Sequence, residues 1–146
     1  MKSPRRRARE FVLQGLYQWQ LAGAAAGEIE NHLKTTSGFE KADQELFQRL
    51  LNGTLRHAGE LQALLTPHVD RPYGELSPVE RSVLLLAAYE LCHCPDTPYK
   101  VVLNEAIELT KDYGANEGHK FVNGVLDKLA AELRPHETKK GVRSTG

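Results

Sequence analysis

The sequence predicts an all-α protein: six or seven helices in two small packed subbundles. Two observations carry this expectation. Apolar residues recur at three- and four-residue spacing along most of the chain, and no stretch alternates Val, Ile, Thr or aromatic residues with polar ones as a half-buried strand would. With 146 residues, 16.3 kDa and 40% hydrophobic residues, the chain can build one domain whose core needs neither disulfide nor metal.

Each element has its own signal. Ser3 and Pro4 are a helix cap and first-turn residue, followed by an apolar stripe of Ala8, Phe11, Val12, Gly15, Leu16 and Trp19. The 100° step puts Arg6, Arg7 and Gln14 on the far side and Arg5 and Arg9 along one flank, so the arginines are expected to fan into solvent. A short helix from Glu28 to Thr35 is ended by Thr36, Ser37 and Gly38. Phe47, Leu50, Leu51, Thr54, Ala58, Leu61 and Leu65 trace one long amphipathic helix from about Lys41 to Leu65. Pro67, Pro72, Gly74 and Pro78 then interrupt, placing the junction of the subbundles (about 4–66 and 76–133) near residues 66–76.

Ser77-Pro78-Val79-Glu80 is a capping box with proline at the first helical position. The helix it opens is apolar on every side from Val83 through Ala88, which suits a central element. After Pro95 and Pro98, a helix from about Lys100 to Tyr113 turns Val101, Val102, Ala106, Ile107 and Thr110 inward, with Gly114 expected in the left-handed closing conformation. The last helix, about Glu117 to Glu132, buries Phe121, Val122, Val125, Leu126 and Leu129, and residues 135–146 read as a flexible basic tail.

Several function classes are excluded. No apolar run approaches the roughly 20 residues of a membrane span, and Gln14, Gln18 and Gln20 interrupt any signal-peptide core, so a cytoplasmic chain is expected. There is no glycine-rich phosphate loop and no strand to present one. No Gly-x-Ser-x-Gly elbow surrounds a serine. Cys92-His93-Cys94 lacks the second pair that zinc sites require, so no metal and no cofactor are expected. The two thiols, one residue apart, cannot bridge without distorting the backbone and read as reduced. His32, His57, His68, His119 and His136 share no helical face, and Glu105, Glu108 and Asp112 read as a solvated face rather than as catalytic carboxylates. No enzyme is expected.

Charge distribution points instead to recognition. Nineteen basic and nineteen acidic residues cancel overall, yet Lys2, Arg5, Arg6, Arg7 and Arg9 face only Glu10 within the first twenty residues, a local +4. Residues 134–146 carry +3 and the body between carries −7. Because salt screens charges beyond about 8 Å, such a cluster can hold phosphates on a neutral molecule. RNA is gripped by cations with aromatic faces nearby. Tyr17 lies off the first helix's core stripe, Tyr99-Lys100 opens one later helix, and Glu117 with Lys120 and Phe121 opens the next.

The wording then becomes specific. Arg6-Arg7-Ala8-Arg9-Glu10, Leu16-Tyr17-Gln18-Trp19-Gln20, Leu76-Ser77-Pro78-Val79-Glu80-Arg81, Ala88-Tyr89-Glu90-Leu91, the run from Asp96 to Leu109, and the run from His119 to Lys128 together resemble the NusB family of bacterial transcription antitermination factors. The resemblance covers the first twenty residues and nearly all of 76–130; between 22 and 66 only the helical pattern matches.

It implies an all-helical, non-enzymatic protein that pairs with NusE, a small-subunit ribosomal protein, and binds the boxA element of nascent single-stranded RNA. The RNA-bound pair would help RNA polymerase, with NusA and NusG, read through terminators, notably in ribosomal RNA operons. By position, Lys2, Arg5, Arg6 and Arg7 would meet phosphates, Glu117 and Phe121 would belong to the RNA surface, and Tyr17 and Glu80 to the NusE contact. His68 stands where relatives carry a tyrosine near that RNA surface. Members of the family also allow a homodimer. Two other readings stay open: a NusB-like RNA-binding module serving a ribosomal RNA methyltransferase, and a helical scaffold with no nucleic-acid role.

Overall fold

In the computed structural model, residues 2–139 are described, and they form an all-helical fold. Seven α-helices lie wholly within the described residues, in order: α1 (Pro4–Ala22), α2 (Ala26–Lys34), α3 (Gln44–Arg56), α4 (Ala58–Leu65), α5 (Pro78–His93), α6 (Tyr99–Tyr113) and α7 (Gly118–Leu133), and a further helical stretch covers 135–139. Short 3-10 turns at Phe39–Lys41, Thr66–His68 and Tyr73–Glu75 join them.

The starts of α1, α3 and α5 follow from side-chain caps. Ser3 accepts from the Arg6 amide, Asp43 from the Leu46 amide, and at α5 Ser77 and Glu80 satisfy each other's amides in the expected capping box. The Asp43 amide also donates to the Pro4 carbonyl, tying the start of α3 to that of α1.

As its apolar circumference requires, α5 is the hub, packing against α1, α3, α4, α6 and α7; Val83, Leu84, Leu85, Leu86, Ala87 and Ala88 are all buried. On the other side of α1 lie α2 and α3. Gly15 permits this approach, since a Cβ there would stand 3.0 Å from both Ile29 and Leu51 side-chain atoms. Gly53 on α3 does the same for α5: a Cβ would collide with the Tyr89 ring at 2.2 Å.

Four sequence expectations need correction. The single helix expected from Lys41 to Leu65 is two, because His57 leaves helical geometry (φ −104°, ψ 12°) between α3 and α4. The apolar stripe runs through the break unchanged, and the bend lets both halves lie on α5. Gly114 is extended rather than left-handed; the left-handed residue is Glu117 (φ 70°), which turns the chain into α7. Val101 is 43% exposed, and Leu103 and Leu109 take the buried positions on α6.

The fourth concerns the expected flexible tail. Residues 135–139 are helical, and Arg134 is buried. Its guanidinium donates to the carbonyls of Glu90, Leu91, Cys94 and Thr97, at the end of α5 and in the loop beyond it. Glu137 accepts both from Arg134 and from the Tyr99 amide at the start of α6. Lys140 and Arg143 of that tail lie outside the described residues.

Candidate nucleic-acid and partner interface

The basic start of α1 divides into spoken-for and available cations. Arg9, expected in solvent, is buried and pairs with the equally buried Glu90 through two hydrogen bonds of 3.0 and 2.8 Å. Glu105 of α6 lies 3.6 Å from Arg9 and takes a two-pronged pair from Arg6. Glu105 is therefore not on a solvated face; it is the bridge of an Arg6–Glu105–Arg9–Glu90 chain joining α1, α5 and α6. Burial works against the Arg9 charge, but its bonds to Glu90 and the nearby Glu105 outweigh it and hold the guanidinium firmly charged. The hydrogen bond to Glu105 does the same for Arg6.

Lys2 forms a 2.6 Å pair with Glu10, which raises its pKa. Arg5 is exposed and reaches only to 4.0 Å from Asp43. Arg7 is half-buried and makes no ion pair among the described residues. Arg5 and Arg7 are thus the two cations of the cluster least committed to a carboxylate.

Lys2 and Glu10 sit beside Tyr113 at the end of α6, whose hydroxyl is pushed up in pKa by burial and by Glu10. From there a groove of about 370 Å³ runs along α1, lined by Leu13, Gln14, Tyr17, Gln18, Val79 and Tyr113. Tyr17 and Tyr113 are exposed although large and partly apolar, the pattern of a surface made to be covered. Glu80, next to Val79, is anchored by the Ser77 amide, and its carboxylate lies 3.3 Å from where a Cβ of Gly118 would stand. The structure therefore brings Tyr17 and Glu80, 63 positions apart in the sequence, to one end of the bundle beside the first turn of α7.

On that turn Lys120 pairs with Glu117 at 2.6 Å, both exposed. Phe121 is half-buried, and the Arg71 guanidinium lies over its ring at 4.5 Å. Arg71 was not singled out from the sequence. The only signal was its place in the Pro-rich loop, since a cation over a ring 50 positions away has no local signature. His68, on the same loop, contacts Glu132 of α7 at 2.9 Å. Tyr99 and Lys100 are not part of this group: they open α6 about 20 Å along the helix from Tyr113.

Comparison with known proteins is consistent in every direction. The family model described as the NusB family matches residues 6–131. The transcription antitermination protein NusB of Burkholderia vietnamiensis is 55% identical over 137 residues, 94% of each chain. That of Aromatoleum aromaticum is 58% identical over 140 residues, 96% of this chain and 97% of the relative. Among solved structures, T. maritima NusB superposes with a TM-score of 0.80 at 33% identity, covering 95% of this chain and 99% of that one. A NusB solved with NusE and double-stranded RNA gives 0.78 at 27% identity, covering 90% and 99%.

Proposed function

This chain belongs to the NusB family, and from that premise we propose that it is a transcription antitermination factor that binds boxA RNA together with NusE and promotes read-through by RNA polymerase acting with NusA and NusG. It binds; it is not an enzyme. The observation that carries the reading is the continuous surface from the α1 cations, past Tyr113 and Tyr17, to Glu80 and the start of α7. The groove around Tyr17 and Glu80 takes NusE. Arg5, Arg7, Lys120 and the Arg71–Phe121 pair take the nucleic acid, through phosphate attraction and an aromatic face. The 27% identical relative solved with NusE and RNA supports the choice of partners.

Salt-titrated binding of boxA RNA by the chain and NusE together tests this. Each phosphate neutralised on single-stranded RNA contributes about −0.7 to the log–log slope. Replacing Arg5 and Arg7 by Ala should make the slope shallower by about 1.4, while Tyr17→Ala should weaken NusE binding tenfold or so with the slope for RNA unchanged. A scrambled RNA bound as tightly as boxA, by the two proteins together, would refute the reading. Methyl transfer by this chain with a partner enzyme would favour the methyltransferase module instead.

A further inference from the structure

We propose that His57, Glu60 and His93, with Cys92 beside them, form a site for a divalent cation of the zinc class where α4 meets the end of α5. One donor atom from each of the first three residues lies within 4.8 Å of the others. His57 Nδ1 is 3.2 Å from one Glu60 carboxylate oxygen, and His93 Nε2 is 3.7 Å from the other. Ligand atoms about 2.0–2.1 Å from a tetrahedral metal stand roughly 3.3–3.4 Å from one another, so the spacing of the three donors is already near that of a coordination shell. The Cys92 thiol donates to the same Glu60 carboxylate from 3.9 Å but stands outside the group of mutually close donor atoms, so it takes the fourth position only by turning its side chain, and water fills that position otherwise.

One further feature supports ligation over a mere hydrogen-bonded cluster. His93 Nε2 is buried and has no hydrogen-bond partner among the described residues, a cost that a metal bond would remove. The two rings stack at 4.4 Å with their planes 25° apart, and Tyr89, wedged against Gly53, stacks on His93 at 5.1 Å; near-parallel rings cannot both aim an in-plane nitrogen lone pair at one ion, so the His57 ring must turn out of the stack when the metal binds. Two imidazoles, a carboxylate and a thiol select zinc, cobalt, nickel or copper over magnesium and calcium. Glu60 is half exposed, so the ion has an entry path. The cation would clasp the first turn of α4 to the last turn of α5, next to the break at His57.

The full chain, free of any affinity tag and stripped with chelator, is titrated with Zn²⁺ by calorimetry and with Co²⁺ by absorption. One equivalent should bind, cobalt should show the intense visible bands of a four-coordinate complex, and excess zinc at about 100-fold over Kd should raise the melting temperature by about 5–10 °C. His57→Ala and His93→Ala should each weaken zinc at least tenfold and abolish that rise. Saturable binding that both variants leave intact, or no saturable binding, would overturn the proposal. Should His93→Ala fail to fold, the cobalt spectrum of the unaltered chain still decides, since the weak bands of an octahedral complex would overturn it. Cys92→Ser should remove the thiolate-to-cobalt band; persistence of that band would exclude Cys92 from the set.

Discussion

Replacing Arg9 by Met removes one charge from the most buried ion pair among the described residues while keeping an unbranched apolar stem in its place. Both side chains of the Arg9–Glu90 pair are only 3% exposed, so the carboxylate left behind has little access to water. Breaking such a pair on one side costs about 3–5 kcal/mol, most of it the uncompensated charge. Glu105 is cushioned, because it retains Arg6. Set against the 5–15 kcal/mol typical of a whole domain, the loss should lower the melting temperature on the order of 10 °C. Urea denaturation gives the free energy directly, and the double variant Arg9→Met with Glu90→Leu should recover most of it, because neither partner is then stranded. A single-variant cost below about 1 kcal/mol, the worth of a surface pair, would show that the chain from Arg6 to Glu90 does not bear on stability and that α1 is held by apolar packing alone.

Gly53→Ala should destabilise despite the helix propensity it gains, about 1 kcal/mol. A Cβ placed 2.2 Å from the Tyr89 ring forces a rearrangement of α3 against α5, for which overpacked cores lose about 1–3 kcal/mol; a thermal melt no lower than that of the parent would contradict this. Tyr73 gives a pH-dependent test. Its buried hydroxyl has no hydrogen-bond partner among the described residues, and burial pushes its pKa up to about 12. The folded state then holds the proton more tightly than the unfolded chain, so the contribution of Tyr73 is present below pH 10 and is lost as pH rises towards 12. Tyr73→Phe should be neutral or stabilising at pH 7, since it deletes an orphaned polar group, and should flatten the alkaline fall in stability over that window, measured by urea melts in steps of pH. An unchanged alkaline slope would refute the assignment.

What could be read from the sequence was what is local. Periodicity and caps placed the starts of α1 and α5 and both ends of α6 and α7 to within a residue or two, because Ser3, Ser77 and the prolines act on amides a few positions away. The break at His57 was invisible, because the apolar stripe of α3 continues into α4 without a change of phase. Arg9 was misplaced for a similar reason. On a helical wheel it lies on a flank, and nothing within α1 announces that Glu90 and Glu105, about 80 and 100 positions later, converge on it. The cluster of His57, Glu60 and His93 likewise shares no helix face and exists only because α4 folds back on α5.

The same long-range pairing changes what the basic end of the molecule can do. Counted along the sequence, Lys2, Arg5, Arg6, Arg7 and Arg9 against Glu10 amount to +4. In the fold, Glu90 and Glu105 join the cluster and reduce it to +2, and Asp43, 4.0 Å from Arg5, reduces it to +1, with Arg5 and Arg7 the cations least tied to a carboxylate. A phosphate approaching Arg6 must compete with a two-pronged carboxylate pair already in place, so Arg6→Ala should leave the salt dependence of RNA binding nearly unchanged and act mainly by loosening α1 from α6. Arg5→Ala and Arg7→Ala should each shift the slope by about 0.7 with little effect on stability. If Arg6→Ala moved the slope as much as either of them, Glu105 would have to release its partner when RNA arrives, and the pair would be a latch opened by the nucleic acid rather than a fixed strut of the fold.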